Sequence, residues 1–308
     1  MILGNLRRPA GFLRLMKSWS LPLATCLALA ACAFGQQRIP MPVRVPAGVT
    51  AQRDLAYVPD GHPRQKLDLY LPENPRGKLP VVVWIHGGGW QAGSKDGCPP
   101  VREGFVAKGY AVASLNYRLS QHAVFPAQID DCLAAIRWLK DNATKYHLDP
   151  ERFGLWGASA GGHLVALAGT RGGDDPGTRV AAVCDYFGPT DFEVFVTTPG
   201  YERHAGEKSA ETALFGGPVA EQRKLAREAN PIRYIDKDDP PFLIVHGDED
   251  KVVPLNQSEL LAKALEEKGV PVTLKVIDGG AHGGPGFQKA DIREQVEAFF
   301  AQHLKPGS

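Results

Sequence analysis

The sequence predicts an α/β fold, in which a mostly parallel sheet is covered by helices on both faces. Short, continuously apolar segments rich in β-branched residues alternate along the chain with segments whose apolar residues recur every three to four positions. At 308 residues, with 44% hydrophobic and 22% charged residues, the chain is long enough to bury a large core. No internal repeat is evident, so we expect a single domain over residues 54–305.

Residues 1–35 are predicted to be a secretory signal. Basic residues precede the uncharged segment 18–33, which ends in small residues suited to cleavage and is too short for a stable membrane span. Met16 begins a typical signal by itself and is an alternative start. The motif LAAC resembles a lipobox that would place a lipid on Cys32, whereas ACA at 31–33 suits ordinary signal peptidase. We therefore expect an exported protein, either free or anchored by a lipid at Cys32.

Composition and cysteine spacing argue against several classes of partner. The 35 Lys and Arg residues balance 34 Asp and Glu residues, so neither nucleic acid nor an anionic membrane surface is an expected partner. No clustered His and Cys residues indicate a metal site. Removal of the signal leaves Cys98, Cys132 and Cys184, an odd number that argues against a disulfide framework. The oligomeric state is not indicated by these patterns.

The remaining elements follow in order after a Pro-rich, extended linker at residues 36–53. The apolar patterns predict strands at 54–58, 66–71, 81–85, 110–119, 152–157, 180–188, 241–247 and 272–278. The helical patterns lie at 127–145, after Ser159, at 255–268 and at 288–303. Residues 189–240 do not alternate in this way. We expect them to form an irregular insertion over one end of the sheet, with a short helix near 219–228.

The segment GASAG at 157–161 predicts a nucleophilic serine. Ser159 follows a strand pattern and precedes a helical one, and glycines stand two residues before and two residues after it. A sharp strand-to-helix turn would expose the serine hydroxyl above the sheet, and it would bring strand and helix too close for larger side chains. A serine hydroxyl needs a neighbouring base to become a nucleophile.

His282 and Asp250 are the predicted partners of Ser159. His282 lies in a glycine-rich loop directly after the strand predicted at 272–278. Asp250 follows the strand predicted at 241–247, and the order Ser, Asp, His is that expected of a strand-turn-helix nucleophile. Asp248 and Glu249 are alternatives for the acid. We prefer Asp250 because the pattern DxxVP leads from it into the next helix.

The segment HGGGW at 86–90 predicts a set of oxyanion donors. It follows the strand predicted at 81–85, and its glycines allow backbone N–H groups to approach a substrate oxygen closely. Gly88 and Gly89 are the predicted donors, together with the N–H of Ala160 at the start of the helix after Ser159. A phosphate-binding loop is excluded, because neither GxxxxGK nor GxGxxG is present.

These segments resemble the α/β-hydrolase-fold carboxylesterases that carry HGGGW, and most of all the feruloyl- and acetyl-xylan-esterase-like group related to hormone-sensitive lipase. The resemblance covers nearly all of residues 54–304, through IHGGGW, NYRLS, FPAQIDDCLAAIRWLKDNA, DPERFGLWGASAGGHLVAL, PPFLIVHGDEDKVVP and HGGPGF. Lipase-like relatives usually have Asp where this chain has Ala158, and they usually carry a larger N-terminal cap. Both departures favour the compact esterases and a small or absent cap.

The resemblance implies a serine carboxylesterase acting on short-chain or aromatic acyl esters, such as those on plant polysaccharides, without a cofactor. Ser159 would attack the ester carbonyl, His282 would transfer the proton and Asp250 would orient His282. Candidates for the pocket lining, or equally for the core, are Trp90, Tyr186, Phe187 and Phe192. Two alternatives are an amide-cleaving hydrolase of the same fold, formamidase- or peptidase-like, and a non-catalytic binding protein on this scaffold.

Overall fold

The computed structural model describes residues 43–173 and 175–305, which belong to one compact unit. Strands of this unit form a sheet in the order β1-β2-β4-β3-β5-β6-β7-β8. The strands are β1 Val49–Ala56, β2 Lys66–Pro72, β3 Leu79–Ile85, β4 Ala111–Leu115, β5 Leu148–Ala158, β6 Ala182–Tyr186, β7 Phe242–Gly247 and β8 Val272–Ile277. The predicted signal at 1–35, its cleavage site and Cys32 lie outside the described residues.

Helices occupy most of the connections between the strands. The α-helices are α1 Pro99–Arg102, α2 Ala127–Asp141, α3 Ala143–Tyr146, α4 Ala160–Arg171, α5 Phe192–Phe195, α6 Ala210–Phe215, α7 Arg223–Glu228, α8 Asn256–Glu267 and α9 Ala290–Leu304. Short 3-10 helices lie at Glu202–Ala205, Pro231–Tyr234 and Pro285–Gln288. Within the described residues, none of these helices is long and apolar enough to cross a membrane.

The sheet is covered on both faces, as the continuous apolar strands predict. From β4 through β3 to β8 all neighbouring strands are parallel, whereas β1 and β2 pair in the antiparallel sense. Every residue of β3 is buried. Val83 packs into the core formed with α2, α4 and α8, and Val82 packs into the opposite core with α1 and α9. Because both faces bury side chains, β3 has no polar alternation.

The start of the sheet differs from the prediction. The linker was expected to extend to residue 53, but β1 begins at Val49, which pairs with Pro72 of β2. Arg53 also donates a hydrogen bond to the carbonyl oxygen of Val43 (2.9 Å), so the chain before β1 lies against the sheet. Five of the eight residues of β1 are exposed. An edge strand of this kind is stabilised by backbone pairing, which leaves little hydrophobic pattern in the sequence.

Two other segments are shorter or divided relative to the prediction. The strand expected at 110–119 ends at Leu115. The N–H of the next residue, Asn116, donates to the carbonyl oxygen of Lys66 at the start of β2 (3.0 Å). The helix expected at 127–145 is divided at Asn142 into α2 and α3. The helices expected near 255–268 and 288–303 are confirmed as α8 and α9. Cys98, Cys132 and Cys184 are buried and unpaired with one another.

Six parallel strands, β3 to β8, end at one edge of the sheet, and the chain segments after five of them line one cavity. The loops that follow β3, β5, β6, β7 and β8 all leave from the carboxyl ends of their strands, and in open α/β sheets this edge is where ligands bind. The insertion at 189–240 is irregular, as predicted, and contains α5, α6 and α7. Phe192 of this insertion packs against Trp90 in the loop after β3. The insertion therefore adjoins the edge where the five loops meet.

Candidate active site

Ser159 lies at a sharp turn between β5 and α4. Its backbone has φ 57° and ψ −122°, a conformation that a residue with a side chain adopts only at a cost. The Ser159 N–H donates to the carbonyl oxygen of Tyr186 (2.8 Å), and the Ser159 carbonyl accepts from the N–H of His163 (3.0 Å). These bonds to β6 and α4 hold the strained turn in place.

The two glycines that frame Ser159 are required by close backbone approach. A β-carbon on Gly157 would lie 2.2 Å from the carbonyl oxygen of Gly161. A β-carbon on Gly161 would lie 2.1 Å from the carbonyl oxygen of Ile85 at the end of β3. The glycines therefore let β5, α4 and β3 approach one another closely, as the sequence predicted.

Gly161→Ala is expected to lower the free energy of unfolding by about 2–3 kcal/mol, the upper part of the usual range for overpacking. Alanine ordinarily stabilises a helix by about 1 kcal/mol over glycine, but here the clash with a fixed carbonyl outweighs that gain. Urea denaturation measures the change. Gly97→Ala is the control, because its β-carbon would have Ser94 oxygen at 3.9 Å as its nearest neighbour. Equal stability of the two variants would contradict the close-approach argument.

His282 links Ser159 to Asp250, so the structure brings the three predicted side chains together. His282 Nε2 lies 2.8 Å from Ser159 Oγ, and His282 Nδ1 lies 2.6 Å from Asp250 Oδ2. Because a carboxylate only accepts, Nδ1 carries the proton and Nε2 can accept the serine hydroxyl. The imidazole is 20% exposed and packs against the ring of Phe187, with 4.5 Å between ring centroids.

Asp250 is buried, with 2% of its surface exposed, and its carboxylate is fully engaged. Oδ1 accepts the backbone N–H groups of Val252 (2.7 Å) and Val253 (2.9 Å). Burial acts to raise the pKa of Asp250, but hydrogen bonds from His246 and His282 outweigh it and hold the pKa well below its usual range. The alternative acid Asp248 is exposed, as is its neighbour Glu249.

His246 supports Asp250 and was not predicted from the sequence. It is fully buried at the end of β7, with Nδ1 2.7 Å from the hydroxyl of Ser258. Its Nε2 lies 2.9 Å from the carbonyl oxygen of Val253 and 3.4 Å from Asp250 Oδ2. The only signal was a histidine inside an apolar strand pattern, which does not show what the side chain contacts.

The three predicted oxyanion residues lie around the cavity that contains Ser159 and His282. Gly88, Gly89 and Ala160 line this cavity, which has a volume of about 380 Å³. The N–H of Ala160 is at the first position of α4 and has no partner within the helix. The N–H groups of Gly88 and Gly89 donate to no other group in the described part of the chain. Three backbone donors are therefore available beside the serine.

The predicted oxyanion loop, residues 86–90, is held in place by a network of hydrogen bonds beneath it. Arg64 Nη2 donates to His86 Nε2 (3.1 Å) and to the carbonyl oxygen of Gly93 (3.0 Å). His86 Nδ1 then donates to the carbonyl of Gly87 (2.7 Å), and Tyr117 donates to the carbonyl of His86 (3.0 Å). Burial lowers the pKa of His86 to about 3, so the ring is neutral. His86 stands in the HGGGW motif, whereas no sequence pattern indicated Arg64.

A second cavity, of about 510 Å³, shares Ala158 and Phe187 with the first. Its walls include Trp84 and Trp156, which come from β3 and β5. They also include Glu103, whose pKa burial raises to about 7. A molecule attached at Ser159 therefore has two adjoining spaces within reach. Of the predicted lining residues, Trp90 and Phe187 contact the first cavity, Tyr186 contacts the second, and Phe192 is fully buried in the core.

Comparison with known proteins identifies the family. The model of the BD-FAE family matches residues 67–265, which include the oxyanion loop, Ser159 and Asp250. This chain belongs to the BD-FAE family. Among curated relatives, the esterase LipC of Mycobacterium tuberculosis is 31% identical, over 86% of this chain and 72% of LipC. The esterase LipQ of the same organism is also 31% identical, over 75% of this chain and 56% of LipQ.

Solved structures give the same result for the fold. A truncated carbohydrate esterase from gut microbiota superposes with a TM-score of 0.76 and 32% identity, covering 86% of this chain and 99% of that one. A bifunctional GH43-CE protein of Bacteroides eggerthii also has a TM-score of 0.76, with 36% identity over 82% of this chain and 35% of its own. The α/β-hydrolase fold is confirmed. The named esterases also confirm the prediction of an ester-hydrolysing enzyme.

Proposed function

We propose that this protein is a serine carboxylesterase that hydrolyses short-chain or aromatic acyl esters, with esters of carbohydrates as the favoured class. The observation that carries the proposal is the hydrogen-bonded series Ser159, His282, Asp250 beside unengaged backbone N–H groups in one cavity. The carbohydrate esterase among the structural neighbours supports the substrate class. The proposal also takes the protein to be exported, which rests on residues 1–35 alone.

In the proposed reaction, Ser159 Oγ attacks the carbonyl carbon of the ester while His282 Nε2 takes the hydroxyl proton. The carbonyl oxygen becomes an oxyanion, which accepts hydrogen bonds from the N–H groups of Gly88, Gly89 and Ala160. One such donor typically lowers the barrier by about 3–4 kcal/mol. Asp250 accepts from Nδ1 throughout, and its negative charge stabilises the imidazolium that forms.

The tetrahedral intermediate then breaks its bond to the alcohol oxygen, and His282 returns the proton to that oxygen. The alcohol leaves and the acyl group stays on Ser159. A water molecule attacks this acyl-enzyme with His282 as the base, and collapse of the second intermediate frees the carboxylic acid. Water is the only reactant besides the ester, and neither step requires a cofactor.

The size and chemistry of the cavity support short or flat acyl groups. About 380 Å³ is near the lower end of the range for small-molecule pockets. Phe195 and Ala210 of the insertion and Val252 beside Asp250 stand among its walls. A flat aromatic or a short aliphatic acyl group fits such a space, whereas a long chain would extend beyond it, into the second cavity or into solvent.

A panel of esters and one amide tests the proposal. We expect kcat/KM for p-nitrophenyl acetate or butyrate, or for methyl ferulate, to exceed that for p-nitrophenyl octanoate by about tenfold or more, because a flexible octanoyl chain loses more conformational freedom on binding than a short or rigid acyl group does. The matched amide, p-nitroacetanilide, should be a far poorer substrate. Faster cleavage of the anilide would favour the amide-cleaving alternative. Binding of all these compounds without turnover would favour a non-catalytic protein.

A further inference from the structure

The second cavity, of about 510 Å³, borders the two chain segments that carry the proposed nucleophile and base. Ala158, directly before Ser159, and Gly283, directly after His282, both line it. The predicted oxyanion donors line only the first cavity. An ester has an acyl part and an alcohol part, and the acyl part is proposed to occupy the first cavity. The second cavity is therefore the space left for the alcohol part.

The walls of the second cavity are largely aromatic. Trp84, Trp156, Tyr186, Phe187 and Phe287 line it, and all of them except Trp156 keep 6–7% of their surface exposed. The rings hold one another in place. Trp84 and Trp156 meet edge to face with 5.7 Å between centroids, and Phe187 and Phe287 do so at 4.7 Å. The C–H groups of a sugar ring form an apolar face that packs well on such large, rigid rings.

Glu103 supplies a carboxyl group to this cavity. It follows α1, lines the cavity and is half-buried. Within the described residues its side chain makes no hydrogen bond and no ion pair, and its oxygens retain accessible surface. Asp250, by contrast, has both carboxylate oxygens bonded. The carboxyl group of Glu103 is therefore open to a ligand that enters the cavity.

The charges around Glu103 favour an uncharged ligand with hydroxyl groups. Burial, with a smaller contribution from Glu297, raises the pKa of Glu103 to about 7, although Arg293, Arg102 and Lys108 act in the opposite direction. Both forms of the carboxyl group accept a hydrogen bond from a hydroxyl, and the protonated form also donates one. Arg102 and Arg293 line the same cavity and would repel a cationic alcohol, whereas an anionic alcohol reaching past them would meet Glu103.

An alcohol without further hydroxyl groups would fill the same space at a cost. It would exclude water from the carboxyl group of Glu103 and leave that group without a hydrogen-bond partner. Burial of an unpaired polar group is unfavourable, so sites built to bond a substrate hydroxyl discriminate against analogues that lack it. The second cavity is therefore expected to distinguish a sugar from an apolar ring of the same size.

We propose that the second cavity binds the sugar unit of a carbohydrate ester, and that Glu103 selects this unit through a hydrogen bond with one of its free hydroxyls. The inference rests on the proposed esterase function. It extends that function by placing the acyl group in the first cavity and the sugar in the second, and by naming the side chain that recognises the sugar.

Two acetates with the same acyl group test the role of the alcohol part. A monoacetylated methyl xyloside and cyclohexyl acetate both carry a six-membered ring, but only the xyloside has hydroxyls. Each kcat/KM is divided by the rate constant for alkaline hydrolysis of the same ester, which removes the difference in leaving-group reactivity. We expect the normalised ratio to favour the xyloside about tenfold in wild type, the effect of one or two net hydrogen bonds.

Variants of Glu103 assign the preference to this side chain. Glu103→Leu is similar in size but has no polar atom, so the normalised ratio should fall to about one through slower hydrolysis of the xyloside. Glu103→Gln keeps hydrogen-bonding atoms and should keep part of the preference. Glu259→Leu is the matched control, because Glu259 is exposed on α8, which packs on the opposite face of the sheet. It should leave both rates unchanged, and circular dichroism checks that each variant is folded.

The outcomes separate this inference from the proposed function. A normalised wild-type ratio near one, or a preference that survives in folded Glu103→Leu, overturns the role of Glu103. An equal loss for both acetates in Glu103→Leu also overturns it, because the effect would not depend on the sugar hydroxyls. If Glu103→Leu does not fold, the wild-type ratio decides whether the cavity selects a sugar. Absence of any Ser159-dependent hydrolysis of p-nitrophenyl acetate would overturn the esterase proposal itself.

Discussion

Ser159→Ala is expected to lower kcat for p-nitrophenyl acetate hydrolysis by about 10⁵-fold or more, while the fold and substrate binding persist. The variant removes the oxygen that would form the acyl-enzyme. Water could still attack the ester directly, but it is not held in position for attack as Ser159 Oγ is. The backbone conformation should survive, because alanine pays the same cost as serine at φ 57°. The remaining rate over water should come from the oxyanion donors alone.

Steady-state kinetics with an assay of sufficient range measures this loss. Ser94→Ala is the matched control, because the Ser94 hydroxyl bonds Asp96 and does not line the cavity. Its kcat should stay within about twofold of wild type, as expected of a half-buried hydroxyl that contacts neither the cavity nor the residues of the proposed reaction. If Ser159→Ala retained a tenth of the wild-type activity, Ser159 would not be the nucleophile, and the proposed mechanism would be wrong.

Asp250→Asn is expected to lower kcat by about 10⁴-fold, the second-largest effect. The backbone N–H groups of Val252 and Val253 point at Oδ1 and can be satisfied only by an oxygen. The asparagine carbonyl must therefore take that place, so its NH₂ group faces His282. An NH₂ group donates to Nδ1 and moves the imidazole proton to Nε2, which can then no longer accept the proton of Ser159.

Asp248→Asn provides the control for this prediction. Asp248 is two residues earlier in the same loop, but its side chain is exposed, so we expect its kcat to stay within about twofold of wild type. A nuclear magnetic resonance measurement of the ring protons of His282 would report the tautomer in each variant. A loss of less than tenfold in Asp250→Asn, or an equal loss in Asp248→Asn, would contradict the role of Asp250.

The site residues that could be predicted are those whose local sequence already contains a structural requirement. Gly157 and Gly161 show where backbones approach closely, because no other residue fits there. His282 and Asp250 stand directly after strand patterns, and the ends of parallel strands meet at one edge. The position along the chain was therefore sufficient to predict that Ser159, Asp250 and His282 would meet.

The supporting residues could not be predicted in this way. Arg64 reaches the oxyanion loop from the turn before β2, and His246 supports Asp250 from inside β7. Arg64 stands in no motif, and its contacts join segments far apart in the chain. His246 contacts residues within twelve positions of it, but the strand pattern around it does not show which groups its side chain meets. The early start of β1 was missed for a related reason, because an edge strand is specified by its partner β2 more than by its own pattern.

The sequence by itself determined the fold class, the family, and the three side chains and three backbone donors of the proposed reaction. These follow from local periodicity and from glycines required by backbone geometry. Both signals depend only on residues that are close together in the sequence. Only the tertiary structure decided that Arg64 supports the oxyanion loop and that Glu103 stands at the wall of the second cavity. Hydrogen bonds between distant segments depend on how the whole chain packs, and no local pattern records them.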